Sequence, residues 1–382
     1  MINKYYSFSI ARGYLLILLL FFVPSNAFPL NYKGLDLKIK TTVAEMYDDN
    51  ITFSKDDKEE DYITTLGLHL STLYEGKKRM LSISGRADQR FNARFSDIKN
   101  SSESTSLNFR NYFTEYDRIN LEYLFSHTYT PESFEEALDR VVARQEFFDH
   151  RVKFNYVRIL SESFNVNLRY AYRLRKFSDE LRPDQYNHRI GFTLNYKPSI
   201  EHTYFLTYAY SQNKFNDVFN TIRAGTKRYL TKSLYIDGQL GVDFTSSTQS
   251  FTLTDNDRST LSAEVSLTDQ IDEITSAQIS YIQGQQFSSE DGNIANSWQI
   301  NGQFSRQLLN RLNSTASIFY GINQFDDTEV KNTFLGGSFS LSYEFLDDLY
   351  GSLNYVYANF NSNEETVGYT RNTIQLALNK TF

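Results

Sequence analysis

The chain has 382 residues, a formal net charge of −7, no cysteine, only five prolines, and 28 tyrosines with 31 phenylalanines. Without cysteine it can carry neither a disulfide framework nor a lipid-modified N-terminal cysteine. Beyond the N-terminal segment no run approaches the roughly 18 consecutive apolar residues of a membrane-spanning helix.

Lys4 and Arg12 precede the apolar run Tyr14–Val23, which is followed by Pro24 and the small-residue site Ser25-Asn26-Ala27. That layout predicts a secretory signal peptide, residues 1–27, cut after Ala27. An apolar run of about ten residues is too short to be a retained membrane helix. Residues 28–382 are then the mature chain.

The mature chain alternates with a period of two, the signature of strands whose successive side chains point to opposite faces. Phe164, Val166, Leu168, Tyr170, Tyr172 and Leu174 share one face, against Asn165, Asn167, Arg169, Ala171, Arg173 and Arg175. Ile190, Phe192, Leu194 and Tyr196 repeat the pattern, as do Tyr204, Leu206, Tyr208 and Tyr210. Gly337, Phe339, Leu341, Tyr343 and Phe345 follow, and the closing run puts Ile374, Leu376, Leu378, Lys380 and Phe382 on one side. Short connections such as Glu75-Gly76-Lys77, Tyr116-Asp117-Arg118, Asn310-Arg311 and Leu346-Asp347-Asp348 alternate with longer polar loops. Eight turns and nine loops make 18 strands, give or take 2, with both ends on the short-turn side.

Soluble sandwich strands usually run about five or six residues. These runs reach twelve or more, longer than the roughly 9–11 residues with which a tilted strand crosses a bilayer. In lipid every backbone group must be bonded internally, so a sheet can span only as a closed barrel. The expected fold is therefore all-β: a transmembrane antiparallel barrel of about 18 strands in the outer membrane of a Gram-negative bacterium. Outer-membrane lipid then covers the apolar face, and tyrosines flanking the apolar centres form interfacial girdles.

A barrel of that size has a backbone diameter of roughly 36 Å, too wide for its own side chains to fill. Arg86, Arg90, Arg110, Arg151, Lys153, Arg169, Arg173, Arg175, Arg189, Arg223 and Lys227 fall on the inward faces of the third to tenth expected barrel strands. From the eleventh onward the inward face turns acidic and amide-rich, with Asp237, Asp243, Glu264, Gln299, Gln303 and Glu344. One wall is then basic and the other neutral to acidic, which predicts a transverse field acting on polar or anionic solutes. The alternative is that the arginines pair with luminal carboxylates simply to satisfy a wet interior. Phe319 with Gln299 and Gln303 presents an aromatic, amide-rich surface suited to sugars.

One insertion breaks the strand pattern. In Pro131–Glu146, Ser133 and Glu136 form a capping box, and Phe134, Leu138 and Val141 share a helical face. This predicts a short helix in the third long loop, carrying Arg140 and Arg144, that either narrows the lumen or lies on the surface. The acidic stretch Asp48–Asp61 lacks the ligand order of a calcium loop and reads as a solvated loop. Five scattered histidines lack zinc spacing, and neither a nucleophile elbow nor a phosphate-cradling glycine loop is present. No catalytic residue, metal site or cofactor is expected, and no nucleic-acid partner.

The stretch "VAEMYDDNITFSKDDKEEDYITTLGLHLS" resembles the first hairpin of the β-barrel porin 2 family through Tyr47-Asp48-Asp49-Asn50 and Asp61-Tyr62-Ile63. "FTEYDRINLEYLFSHTYTPESFEEALD" and the closing "YTRNTIQLALNKTF" are also similar to it. The resemblance implies an outer-membrane barrel linked to exopolysaccharide and exosortase systems, with polysaccharide export components as partners. It also implies that the end at Phe382 is an assembly signal read by the barrel-assembly machinery. The function expected from all this is a pore passing polar, carbohydrate-like material. The alternatives are a general diffusion porin for small polar or anionic solutes, and a plugged structural or adhesion barrel acting through its loops.

Overall fold

The computed structural model describes residues 31–32, 35–96, 98, 101–129, 146–179, 184–214, 217–246, 258–287, 294–325, 329–364 and 368–382. The signal-peptide segment and the proposed helix with Ser133, Glu136, Arg140 and Arg144 lie outside the described residues. A two-residue strand β1 (Asn31–Tyr32) pairs with β2. The barrel itself comprises β2 (Leu35–Asp48), β3 (Asp61–Glu75), β4 (Arg79–Asn92), β5 (Ser101–Tyr112), β6 (Asp117–Thr128), β7 (Phe147–Ile159), β8 (Phe164–Phe177), β9 (Gln185–Tyr196) and β10 (His202–Asn213). It continues with β11 (Val218–Tyr229), β12 (Leu234–Ser246), β13 (Arg258–Asp272), β14 (Thr275–Phe287), β15 (Ile294–Leu309), β16 (Leu312–Phe325), β17 (Lys331–Leu346), β18 (Leu349–Ser362) and β19 (Gly368–Thr381).

Each barrel strand pairs antiparallel with the next, and β19 returns to β2, closing 18 strands into a ring without a free edge. Strands of 12 to 16 residues are longer than a bilayer crossing requires. Eight connections, none spanning more than residues 197–201, join strands at one end of the barrel, and the connections at the other end are mostly longer, the link 214–217 between β10 and β11 being the exception. Where only Asn310 and Arg311 link β15 to β16, Arg311 takes the left-handed φ of 74° that so tight a reversal demands. Its guanidinium bonds Asp347 in the adjacent turn at 3.0 Å.

The alternation is read out as exterior and interior. Leu206, Ile222, Leu240, Leu261, Ile279, Ile318 and Leu376 project outward and are exposed, as lipid-facing side chains must be when no lipid is present. Tyr74, Phe164, Tyr196, Tyr204, Tyr343 and Phe345 collect outside the short-turn end. A ring with an apolar body and a polar tip or edge prefers that headgroup zone. At the seam the chain end continues the ladder: Phe382 N donates to the Ile39 carbonyl at 2.7 Å, and Ile39 N donates back at 3.3 Å. The small buried core lies inside the barrel: Phe53, Phe319, Phe334, Ala358, Phe360 and Tyr369 form one cluster toward the loop end.

Candidate functional site

The barrel interior is the site, and strand register decides what lines it. Glu122 stands opposite Lys153, and Arg151 opposite Arg173, so the odd positions of β7, β8 and β9 face one way. Arg86 and Arg90 in β4, Arg110 in β5, and Arg223 and Lys227 in β11 share that inward face. So do Asp237, Asp243, Glu264, Gln299, Gln303 and Glu344 on β12, β13, β15 and β17. Cross-strand neighbours on one face sit about 5 Å apart, so these side chains form a patchwork rather than isolated points.

That patchwork is less positive than a count of arginines implies. Asp149 is 1% exposed and is held by Arg151 and Arg173 at 2.7 and 2.6 Å, with Arg175 at 3.4 Å. Arg175 also stacks over the Phe147 ring at 4.6 Å. Arg86 bonds the buried Asp88 at 2.7 Å, and Arg223 reaches Asp243 at 3.6 Å and Glu264 at 3.9 Å. These carboxylates stand two residues from an arginine on the same strand or across a neighbouring one, so the pairing alternative accounts for much of the basic wall. Parity alone placed Asp88 beside Arg86 and Asp149 beside Arg151, a signal present in the sequence but masked by the excess of arginine.

Lys153, Arg169 and Arg189 behave differently. On the adjacent strands β7, β8 and β9 they project into a luminal cavity of about 830 Å³, together with Asn155, Thr193, Thr207 and Lys227. All three are exposed to the lumen, and among the described residues no carboxylate lies within ion-pair distance of them. A second luminal cavity of about 550 Å³ holds Lys40, His69, Arg86, Arg90 and Arg371 beside the seam. By register Gln299, Gln303 and Phe319 share one face, but Phe319 does not offer a sugar-binding surface. It is 7% exposed and packs edge-on to Phe334, with ring centroids 5.5 Å apart.

The motif that carried the family resemblance turns out to be structural. Arg371 grips Asp48 through Nε and Nη2 at 2.9 and 2.7 Å. Asp49 accepts the Asn372 backbone and side-chain amides at 2.6 and 2.7 Å. Asn50 donates to the Thr370 and Ser54 carbonyls at 3.0 and 2.7 Å. Asp61 accepts Asn92 Nδ2 and the backbone amides of Arg94 and Phe95 at 3.0, 2.9 and 3.3 Å, tying the second external loop down. The acidic loop is therefore only partly solvated: Asp56 and Asp57 are exposed, whereas Asp48 and Asp61 are 0% exposed.

Three of the five histidines, His127, His150 and His188, lie together on the exterior near the loop end, whereas His69 faces the lumen and His202 stands beside a short turn. His150 Nδ1 lies 3.0 Å from the Tyr123 hydroxyl and His188 Nδ1 lies 2.9 Å from that of Tyr170. His127 stacks on Phe148 and bonds Glu146 at 2.9 Å, and Tyr129 donates to the same carboxylate at 2.7 Å. The Tyr129 bond, aided by His127, holds Glu146 below the ordinary carboxylate range against the opposing effect of partial burial. The same bond, with burial, pushes the Tyr129 phenol up to about 12. A depressed carboxyl stabilises above its unfolded value and loses that contribution as pH falls through the native one. A raised phenol stabilises below its ordinary value and loses that as pH rises toward its native one. Glu146→Gln should therefore lower the unfolding temperature near neutrality, by a loss of about 1 kcal/mol. The gap from the parent protein should close on acidification, as followed by heat-dependent electrophoretic mobility across pH.

No family model matches the chain, and no curated protein matches it. Solved structures do. The crystal structure of Pseudomonas aeruginosa OpdK with vanillate is 11% identical, covers 91% of this chain and 98% of its own, and aligns with a TM-score of 0.50. Pseudomonas aeruginosa OpdQ is 10% identical with a TM-score of 0.51, covering 92% and 99%. OccK8 (OprE) of the same organism gives 10%, 0.51, 92% and 98%. At such identity the likeness is one of fold. Closed ring, apolar exterior and polar lumen define an outer-membrane β-barrel of porin architecture, sited in the outer membrane of a Gram-negative bacterium. The narrower resemblance to the β-barrel porin 2 family rests on its short motifs alone.

Proposed function

We propose that the protein is a passive outer-membrane pore that favours small anionic solutes, drawn along the basic wall. The observation carrying this reading is the trio Lys153, Arg169 and Arg189: lumen-exposed cations on adjacent strands, in one cavity, with no described carboxylate in ion-pair reach. A charge in a water-filled pore attracts counter-ions at little reorganisation cost, so such a track raises the local anion concentration without binding tightly. Replacing all three by glutamine should lower the chloride-to-potassium permeability ratio about threefold, read from the reversal potential across planar bilayers in a salt gradient. An unchanged ratio rejects the track.

Export of carbohydrate polymer is the second reading. Supporting it are the motif resemblance and the amide wall of Gln278, Gln299, Asn301 and Gln303, whose donors and acceptors can exchange with sugar hydroxyls. Block of the current by an added polysaccharide, but not by small sugars, would favour it. A barrel that never conducts would favour the plugged, structural alternative. On either pore reading residues 1–27 are removed on export, the barrel-assembly machinery reads the Phe382 end, and the chain has no enzymatic role.

A further inference from the structure

The external loop joining β2 to β3 does not stand above the barrel. Its residues Asn50 and Ile51 are 0% exposed and Phe53 is 5% exposed, and Phe53 lines the same luminal cavity as Lys40, His69, Arg90 and Arg371. We propose that this loop is the fixed constriction of the pore: its apolar tip is held inside the lumen and sets the size limit of the outer mouth. The inference rests on the pore reading and adds to it the element that filters by size.

Three independent restraints hold the tip in. Asn50 turns the chain inward by accepting Ser54 N at 3.0 Å and donating to the Ser54 carbonyl at 2.7 Å, while its second amide bond, to the Thr370 carbonyl, anchors the turn to β19. Across the loop's neck Ile51 N donates to the Glu59 carbonyl at 2.8 Å. Phe53 then inserts between Tyr369, edge-on with centroids 5.1 Å apart, and Arg371, whose guanidinium lies 4.6 Å from the ring centre. Phe53 adopts a left-handed φ of 55°, a conformation a bulky residue takes only when its surroundings over-determine it. Behind it Phe360, Phe334 and Phe319 continue the cluster along the inner wall. A merely solvated surface loop needs none of this. Burying apolar side chains in an otherwise wet interior, on a neck closed by backbone bonds, produces a rigid inward bracket.

The experiment uses the full-length protein in planar bilayers. Replacing residues 51–58 by a Gly-Ser linker removes the tip but keeps Asp48, Asp49 and Asn50 at the seam. Single-channel conductance should rise about twofold, and larger neutral sugars should enter in liposome swelling. Thr52→Cys supplies the chain's only thiol at an exposed loop position, with little risk to folding. A bulky methanethiosulfonate attached there should cut the current by about half. A linker variant that conducts like the parent overturns the inference; should that variant fail to fold, an unchanged current after labelling Thr52→Cys overturns it. A parent protein that does not conduct at all overturns the pore reading instead, so the two failures are separable.

Discussion

Arg371→Ala will destabilise the barrel by about 3–5 kcal/mol, the usual cost of leaving a buried charge without its partner. Asp48 is 0% exposed, and Arg371 supplies two parallel bonds to it across the seam where the first and last barrel strands meet. The backbone ladder at this seam runs from Lys40 opposite Thr381 to Asp48 opposite Thr373. Beyond it, toward the loops, closure depends mainly on the side chains of Asp48, Asp49 and Asn50 reaching residues 370–372. Truncating Arg371 leaves the buried carboxylate with only the Asn50 backbone amide at 3.1 Å, uncovers the Phe53 ring and loosens the barrel where its ends join. Urea unfolding in lipid vesicles measures the loss. Arg371→Lys should recover only part of it, because an ammonium cannot reproduce the planar two-bond fork. A midpoint equal to the parent's for Arg371→Ala would show that the seam holds without this pair.

A second large effect separates the two faces of one strand. Leu376 is 61% exposed and sits at the centre of the outward row Ile374, Leu376 and Leu378 on β19. Arginine on the lipid face of a barrel near the bilayer midplane costs about 2–4 kcal/mol, because hydrocarbon cannot hydrate the charge. Leu376→Arg should show that loss, whereas Gln375→Arg, one residue away but facing the luminal cavity beside the seam, should change stability by less than about 0.5 kcal/mol. Paired unfolding titrations in vesicles decide the matter. Equal costs at the two positions would mean that something other than lipid covers the outer face.

Much of the architecture was legible because a strand's periodicity is local. Whether Leu376 or Gln375 points outward is settled by parity, and parity needs only neighbouring residues. Strand number and the short-turn end followed from the same counting. What sequence reading missed are contacts between residues distant in the chain. Asp48 and Arg371 are 323 positions apart, and nothing local marks them as partners. Phe319 looked like a luminal platform for sugars because parity gives its direction but not its covering. Its ring is buried by Phe334 and its neighbours, which arrive from other strands. The acidic loop read as solvated for the same reason: the two carboxylates that are fully buried find their donors on β19 and on the loop after β4.

By itself, then, the order of residues dictated a closed barrel with a lipid-facing exterior and a charged interior, since alternation at a period of two permits no other way to satisfy backbone groups in hydrocarbon. Only the tertiary structure decided which luminal charges pair with one another, that Lys153, Arg169 and Arg189 have no carboxylate within ion-pair distance among the described residues, and that the tip of the first loop is buried against the inner wall. Those outcomes depend on distances of a few ångströms between side chains brought together by ring closure, and a one-dimensional pattern carries no such distances.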